Sequence, residues 1–201
     1  MQRKRLTRVL VLLNFAALVA LRLESGGAAN RPSTERGAKE VFTGTIVGIG
    51  GALGGVSRPF TMEINGVTSD AEAERFTQIL RTKGQDALLK AVSKEKKGRF
   101  AVDGHLGHDL NSVCIRETPN GRRITALFDR WERMYELRYG TRSLDYPFTY
   151  IELFVDDSGK GDGSLIAAAK VYFDKKDQNA LDIENFGIYP ARLMGVQLRT
   201  K

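Results

Sequence analysis

Both histidines of the chain lie in one short stretch flanked by aspartates, Asp103-Gly-His105-Leu-Gly-His108-Asp109. Imidazole and carboxylate groups are suitable zinc ligands, and a glycine-bearing loop could bring the two rings together. No glutamate stands between the histidines, and no helical zinc signature surrounds them. We favour a glycine-shaped loop with surface histidines. Two alternatives stay open: a metal site made of Asp103, His105, His108 and Asp109, or a histidine that acts as a general base.

A second candidate site is the segment of residues 129–150, in which aromatic side chains are interleaved with arginines. As many acids as arginines occur in it, which removes the positive surface that a nucleic-acid partner requires. If the chain is extended there, one face carries Trp131, Arg133, Tyr135 and Tyr139. An arginine in that stripe needs a buried carboxylate partner or an open, hydrated surface. The segment therefore predicts either core packing or a ligand-binding surface formed by these four residues.

Two further motifs are incomplete. A loop that starts at Asp156 has the oxygen-rich composition of a calcium loop, but Lys160 replaces the ligand at its fifth position and Ala167 the glutamate at its twelfth. The glycines of residues 48–54 resemble a phosphate cradle, yet a strand entry follows them where a nucleotide site needs a helix. We predict neither a calcium ion nor a nucleotide at these positions.

The elements that must position these residues begin after an export leader. Residues 1–29 have a basic start, an apolar run of residues 9–21 and a small-residue end, which is the order of a secretory signal. The apolar run is shorter than the roughly 20 residues of a membrane span, so cleavage after Ala29 is favoured over an uncleaved anchor. Most of the net charge of +7 belongs to this leader. The chain is predicted to be periplasmic or secreted.

Residues 30–38 are predicted to be a flexible linker, and residues 39–201 a single β-rich domain. Ser69 and Glu72 have the spacing of a capping box, which predicts a helix after Ser69 and a second helix, 87–97, beyond an interruption at Gly84. Strands are predicted at 41–49, 58–64, 99–102, 111–116, 123–128, 148–155, 165–173, 181–186 and 193–198. Cys114, the single thiol, is predicted to be a buried strand residue. The fold class is α+β, with an antiparallel sheet or partly closed barrel and a short helical insertion.

Several short motifs resemble those of a group of exported bacterial proteins without an assigned function. The motifs are Asp129-Arg130, the stretch from Arg142 to Phe148, the glycine loop of residues 159–163, and Glu184-Asn-Phe-Gly ahead of Pro190-Ala-Arg-Leu. The resemblance covers residues 40–200 or so. It implies a periplasmic or secreted β-rich domain and adds no catalytic residue.

No residue is singled out as catalytic, because the serines lack a Gly-x-Ser-x-Gly elbow and nothing selects a pair among Glu132, Glu136 and Glu152. We therefore predict an exported, non-enzymatic protein without a cofactor that binds a ligand or another envelope component. It would touch a membrane only through an uncleaved leader. The alternative is a metal-assisted hydrolase that uses the loop of His105 and His108.

Overall fold

The structure is a computed structural model that describes residues 39–49, 55–130, 142–173, 181–187 and 189–199. In these residues it has a β-rich α+β fold, and none of the described helices is long and apolar enough to cross a membrane. The elements are β1 Glu40–Val47, β2 Ser57–Ile64, α1 Asp70–Lys83, α2 Gln85–Val92, β3 Gly98–Val102, β4 His108–Leu110, β5 Ser112–Thr118, β6 Gly121–Asp129, β7 Phe148–Val155, β8 Lys160–Phe173, β9 Leu181–Asn185 and β10 Ala191–Arg199. The predicted leader and linker lie outside the described residues.

The strands form one antiparallel sheet that nearly closes into a barrel. Hydrogen-bonded neighbours follow the order β4-β3-β2-β1-β10-β8-β7-β6-β5, and β9 pairs with residues 169–173 of β8. The two ends of this order are consecutive in the chain, because only Asn111 separates β4 from β5. The Asn111 amide donates to the Leu127 carbonyl at 3.2 Å, and its side-chain oxygen accepts from the Asp129 amide at 3.0 Å. Asn111 therefore joins the edge of the sheet to β6.

The inner face of the barrel is a packed apolar core. Side chains alternate between the two faces of a strand, so β6 sends Ile124 and Phe128 inward, and β7 sends Ile151 and Leu153. These four side chains are at most 2% exposed, and a continuous cluster of apolar residues from the other barrel strands surrounds them. The described interior is thus filled by side chains, as in other small barrels.

A second apolar core lies on the outside of the sheet, where the two helices pack against β7, β8 and β9. Phe76 and Leu80 of α1 and Leu88 of α2 are buried there against Phe148 and neighbouring strand residues. Strand β7 is consequently covered on both faces, and every one of its residues except Phe154 is buried.

The predicted capping box is confirmed and fixes the start of α1. The Ser69 hydroxyl accepts from the Glu72 amide, and the Glu72 carboxylate accepts from the Ser69 amide at 2.8 Å. Gly84, with φ of 79°, separates α1 from α2 as predicted, and α2 begins at Gln85, two residues before the predicted start. The prediction that the second helix reaches residue 97 was wrong, because α2 ends at Val92. Lys97 does not lie in a helical turn; it forms an ion pair with Glu72 at 2.7 Å that ties the start of α1 to the chain entering β3.

Two strand predictions also need correction. β8 begins at Lys160, five residues before the predicted strand of residues 165–173, so the turn after β7 is tight. The Asp156 carboxylate accepts from the amides of Ser158 and Lys160 at 2.9 Å and so closes the turn locally. Gly161 then pairs closely with β7, since a Cβ there would lie 1.8 Å from the Phe154 carbonyl oxygen. The short strand β4 was not predicted at all.

Candidate functional site

A cavity of about 70 Å³ lies between the helix pair and the outer face of the sheet, and we call it the helix–sheet cavity. Its walls are almost wholly apolar and include Ala73, Phe76 and Leu80 of α1 and Leu127, Tyr150 and Val171 of the sheet. About 10–15 Å³ of accessible space is enough for one water molecule, so the cavity has room for about five groups of water or methylene size.

Small side chains account for the space. Ala73 on α1 and Ser112, Cys114 and Thr125 on β5 and β6 all line the cavity, and none of them is long enough to reach across. Further along α1, Phe76 is 6% exposed and fills the contact with the sheet. The gap therefore lies at the beginning of α1, over Ser112 and Cys114 of β5 and Thr125 of β6.

Polar side chains of the sheet lie next to the cavity, at the border of the area that the two helices cover. In the sheet register, Cys114 is opposite Thr125, and Thr125 is opposite Glu152. Arg123 lies two residues before Thr125 on the same face of β6, beyond the helix pair. We call the side chains of Cys114, Arg123, Thr125 and Glu152, together with the hydroxyl of Tyr150, the polar rim.

Arg123 and Glu152 form an ion pair within the polar rim. Glu152 is only 8% exposed, and the guanidinium of Arg123 also lies over the Phe154 ring, 5.9 Å from its centroid. Burying two charges is costly unless they are paired, so the pair neutralises a region that apolar side chains border on one side.

The Tyr150 hydroxyl makes no hydrogen bond of normal geometry with any described residue. The residue is only 3% exposed, which also keeps bulk water away from this group. Burial raises the pKa of the Tyr150 phenol, and the charge of Glu152 raises it further. Arg123 contacts the phenol and acts in the opposite direction on its pKa, but an arginine offers no acceptor. Tyr150 therefore keeps its proton and remains a hydrogen-bond donor without an acceptor of normal geometry in the described structure.

The Cys114 thiol also stays protonated. Cys114 lies on β5 as predicted, although it is half-buried and not fully enclosed. Burial raises the pKa of its thiol, even though Arg116 acts in the opposite direction. Because the thiolate is the reactive form of cysteine, this residue serves as a polarisable part of the cavity wall. The polar rim suits binding of a ligand better than nucleophilic chemistry.

The histidine stretch lies elsewhere, at the β3–β4 hairpin. Asp103 and His105 are in the exposed turn, where Asp103 adopts a positive φ of 54°. His108 stands on β4, with its ring 5.9 Å from that of Phe128. We favoured a loop with surface histidines. His105 fits this prediction because it is exposed in the turn, whereas His108 is half-buried on β4.

The two aspartates of this stretch form ion pairs. Asp103 pairs with Arg58 at 3.5 Å, and Asp109 pairs with Lys96 at 2.9 Å. The hydrogen bond from Lys96 holds the pKa of Asp109 below its usual value. Within the described part of the chain, no group of three or more His, Cys, Asp and Glu side chains is arranged to hold a metal ion. The predicted metal ligands and the hydrolase alternative thus have no ligand cluster to support them.

The aromatic and arginine stripe, Trp131, Arg133, Tyr135 and Tyr139, lies outside the described residues. The chain on either side of it is well anchored. The Arg130 guanidinium donates to the carbonyls of Tyr146 at 2.6 Å and Ser143 at 2.7 Å.

The hydroxyl of Tyr146 donates in turn to the carboxylate of Glu184 at 2.6 Å. Burial and this acceptor raise the pKa of Tyr146 to about 12. Arg130, Tyr146 and Glu184 come from three of the short sequence motifs, Asp129-Arg130, residues 142–148 and residues 184–187. Hydrogen bonds connect these three residues in the structure and hold neighbouring segments of the chain together.

The cavity was not predicted from the sequence, although one signal for it was present. A strand covered on one face alternates between apolar and polar residues, whereas residues 148–155 are apolar at nearly every position. This pattern predicts a second layer on the outside of the sheet. Tyr150 was recognised only as one of several aromatic residues, because its lack of a partner depends on the packing around it.

Comparisons of the chain with protein-family models, with curated proteins and with solved structures found no match.

Proposed function

We propose that this protein is exported and binds a small, largely apolar ligand in the helix–sheet cavity without catalysing a reaction. One observation carries the proposal: an apolar cavity ends at a polar rim where the buried hydroxyl of Tyr150 has no partner. Ligand sites are typically apolar concavities with a few convergent polar groups, and a buried polar group without a partner is costly unless something else satisfies it. A ligand that enters the cavity would supply that partner.

The export part of the proposal rests on the basic, apolar and small-residue order of residues 1–29 and on the motifs that resemble exported bacterial proteins. Intact mass measurement of the protein from the envelope and culture fractions tests it. A chain that begins at Asn30 is expected. A cytoplasmic chain that retains residues 1–29 would contradict export and leave the binding proposal in place.

Binding is tested with hexane as a small apolar probe and with methyl resonances of the protein as the readout. We expect hexane to shift the methyl signals of Leu80, Leu88 and Val171, which all line the cavity. The Ala73→Leu variant places a larger side chain in the space and should abolish these shifts. Ala71→Leu on the exposed side of the same helix turn is the matched control and should bind as the wild type does.

Circular dichroism first establishes that both variants are folded, so that a loss of shifts reports occupancy of the cavity. Equal responses of the two variants would place the probe elsewhere. The absence of any methyl shift in the wild type at hexane saturation would refute an apolar binding site between the helices and the sheet.

A further inference from the structure

The polar rim holds three buried polar atoms without a hydrogen bond of normal geometry to a described residue: two donors, the Tyr150 hydroxyl and Nε of Arg123, and one acceptor, Oε1 of Glu152. They belong to adjacent strands, and the charges of Arg123 and Glu152 both act on the Tyr150 phenol. A buried donor without an acceptor costs free energy, and two such donors close together are an uncommon feature of a folded protein. An acceptor oxygen that arrives with a ligand would satisfy them.

The location of Tyr150 links this requirement to the cavity. Its ring forms part of the apolar wall, while its hydroxyl lies on the side of Cys114, Arg123 and Glu152. A ligand that fills the cavity with an alkyl group would thus meet a hydrogen-bond donor where its apolar part ends. The complementary ligand is amphipathic, with an oxygen at that junction.

The local charge decides which kind of oxygen fits. Arg123 is already paired with Glu152, so the buried pair has no net charge. A carboxylate that approached Tyr150 would add a negative charge beside Glu152, and burying an uncompensated charge is far more costly than burying a neutral carbonyl. Tyr150 itself stays neutral, so it offers a proton to a neutral acceptor.

We infer that the ligand is a neutral acyl compound, an ester or amide, whose carbonyl oxygen accepts a hydrogen bond from Tyr150 while its alkyl chain occupies the helix–sheet cavity. This inference rests on the proposed function and adds the chemical class of the ligand and the residue that recognises it. No covalent step is involved, because the Cys114 thiol beside the site stays protonated.

The test compares methyl hexanoate, hexanoate and hexane, which share a six-carbon chain and differ in the oxygen group. Dissociation constants come from titration of the cavity methyl resonances in the full mature chain. The key variant is Tyr150→Phe, which keeps the ring and removes the donor. Tyr172→Phe is the matched control, because the Tyr172 hydroxyl donates to Asp182 at 2.9 Å and the residue does not line the cavity.

We expect Tyr150→Phe to weaken methyl hexanoate binding by about fivefold to tenfold, which corresponds to one ordinary hydrogen bond, and to leave hexane binding unchanged. Tyr172→Phe should change neither affinity. Hexanoate should bind more weakly than its methyl ester.

Two results would overturn the inference while the proposed function stands: hexane binds but Tyr150→Phe retains the full affinity for the ester, or hexanoate binds more tightly than the ester. If neither hexane nor the ester shifts any cavity methyl signal, the proposed function itself fails. Hexane binding also shows whether the variant is correctly folded. A loss of ester affinity in Tyr150→Phe supports the inference only if this variant still binds hexane.

Discussion

Replacement of Tyr150 by phenylalanine should stabilise the ligand-free protein, although it removes a polar group from a buried tyrosine. The hydroxyl is buried in a residue that is 3% exposed and has no hydrogen-bond partner of normal geometry among the described residues. A buried polar group without a partner costs about 1–3 kcal/mol. The oxygen also makes a few van der Waals contacts, each worth about 0.1–0.2 kcal/mol, and these are lost. The net expected gain in the free energy of unfolding is about 1 kcal/mol.

Urea unfolding followed by circular dichroism measures this gain, and a thermal scan should show a melting temperature higher by about 2–4 °C. Tyr172→Phe provides the contrast, because it removes a hydroxyl that is bonded to Asp182 and should destabilise the protein by about 1 kcal/mol. If Tyr150→Phe instead lowers the free energy of unfolding by about 1 kcal/mol or more, the hydroxyl is hydrogen-bonded in solution. The donor would then not be free for a ligand, and the reasoning behind the polar rim would be refuted.

Three further predictions concern other parts of the fold. Gly107→Ala should destabilise the protein by about 2 kcal/mol in urea unfolding, because Gly107 has φ of 71° and a Cβ there would lie 2.2 Å from the Phe100 carbonyl oxygen; a loss below about 0.5 kcal/mol would contradict this geometry. Cys114 should react with a disulfide reagent at pH 8 at least about tenfold more slowly in the folded protein than in urea, and equal rates would show an accessible thiolate. The pKa of Tyr146 is raised from 10.0 to about 12 in the folded state, so the unfolded state loses this proton first and stability should fall as pH rises from 10.0 towards about 12. Tyr146→Phe should make that fall shallower in urea unfolding at several pH values, and an unchanged slope would mean that burial and the Glu184 hydrogen bond do not raise the pKa of Tyr146 in the folded protein.

Much of the fold could be predicted from local patterns. The capping box of Ser69 and Glu72 and the break at Gly84 are short-range features, and the structure confirms both. The strand at 148–155 was predicted with its correct bounds, and the predicted strands 111–116 and 123–128 form an antiparallel pair, β5 and β6, that a tight turn joins. Such features are determined by residues close in sequence, so their physical causes can be identified without the tertiary structure.

Other bounds were missed because long-range contacts determine them. The last turn predicted for the second helix is absent, since Lys97 pairs with Glu72 and the chain turns into β3 after Val92. Strand β4 has only three residues and exists because it pairs with β3, with Phe100 opposite His108. Helical charge patterns and short apolar runs do not reveal such partners.

The candidate site also has some features that the sequence predicts and others that only the tertiary structure shows. The apolar character of β7 on both faces is a property of the sequence alone and predicts a covering layer, and the sequence also supplies the small residues Ala73, Ser112, Cys114 and Thr125. That these small residues face one another across a gap is a consequence of how α1 crosses the sheet. Their positions span more than 50 residues of sequence, and no local pattern records that juxtaposition.

The sequence by itself therefore determined the strand and helix types, the cap and the turns, because steric preferences and hydrogen bonds between near neighbours decide them. Only the tertiary structure decided that the barrel nearly closes at Asn111, that its described interior is filled, and that a cavity lies outside it beneath the helices. It also decided that Tyr150 lacks an acceptor. Whether a buried donor is satisfied depends on every group that packs around it, and for Tyr150 those groups come from separate strands and from a helix.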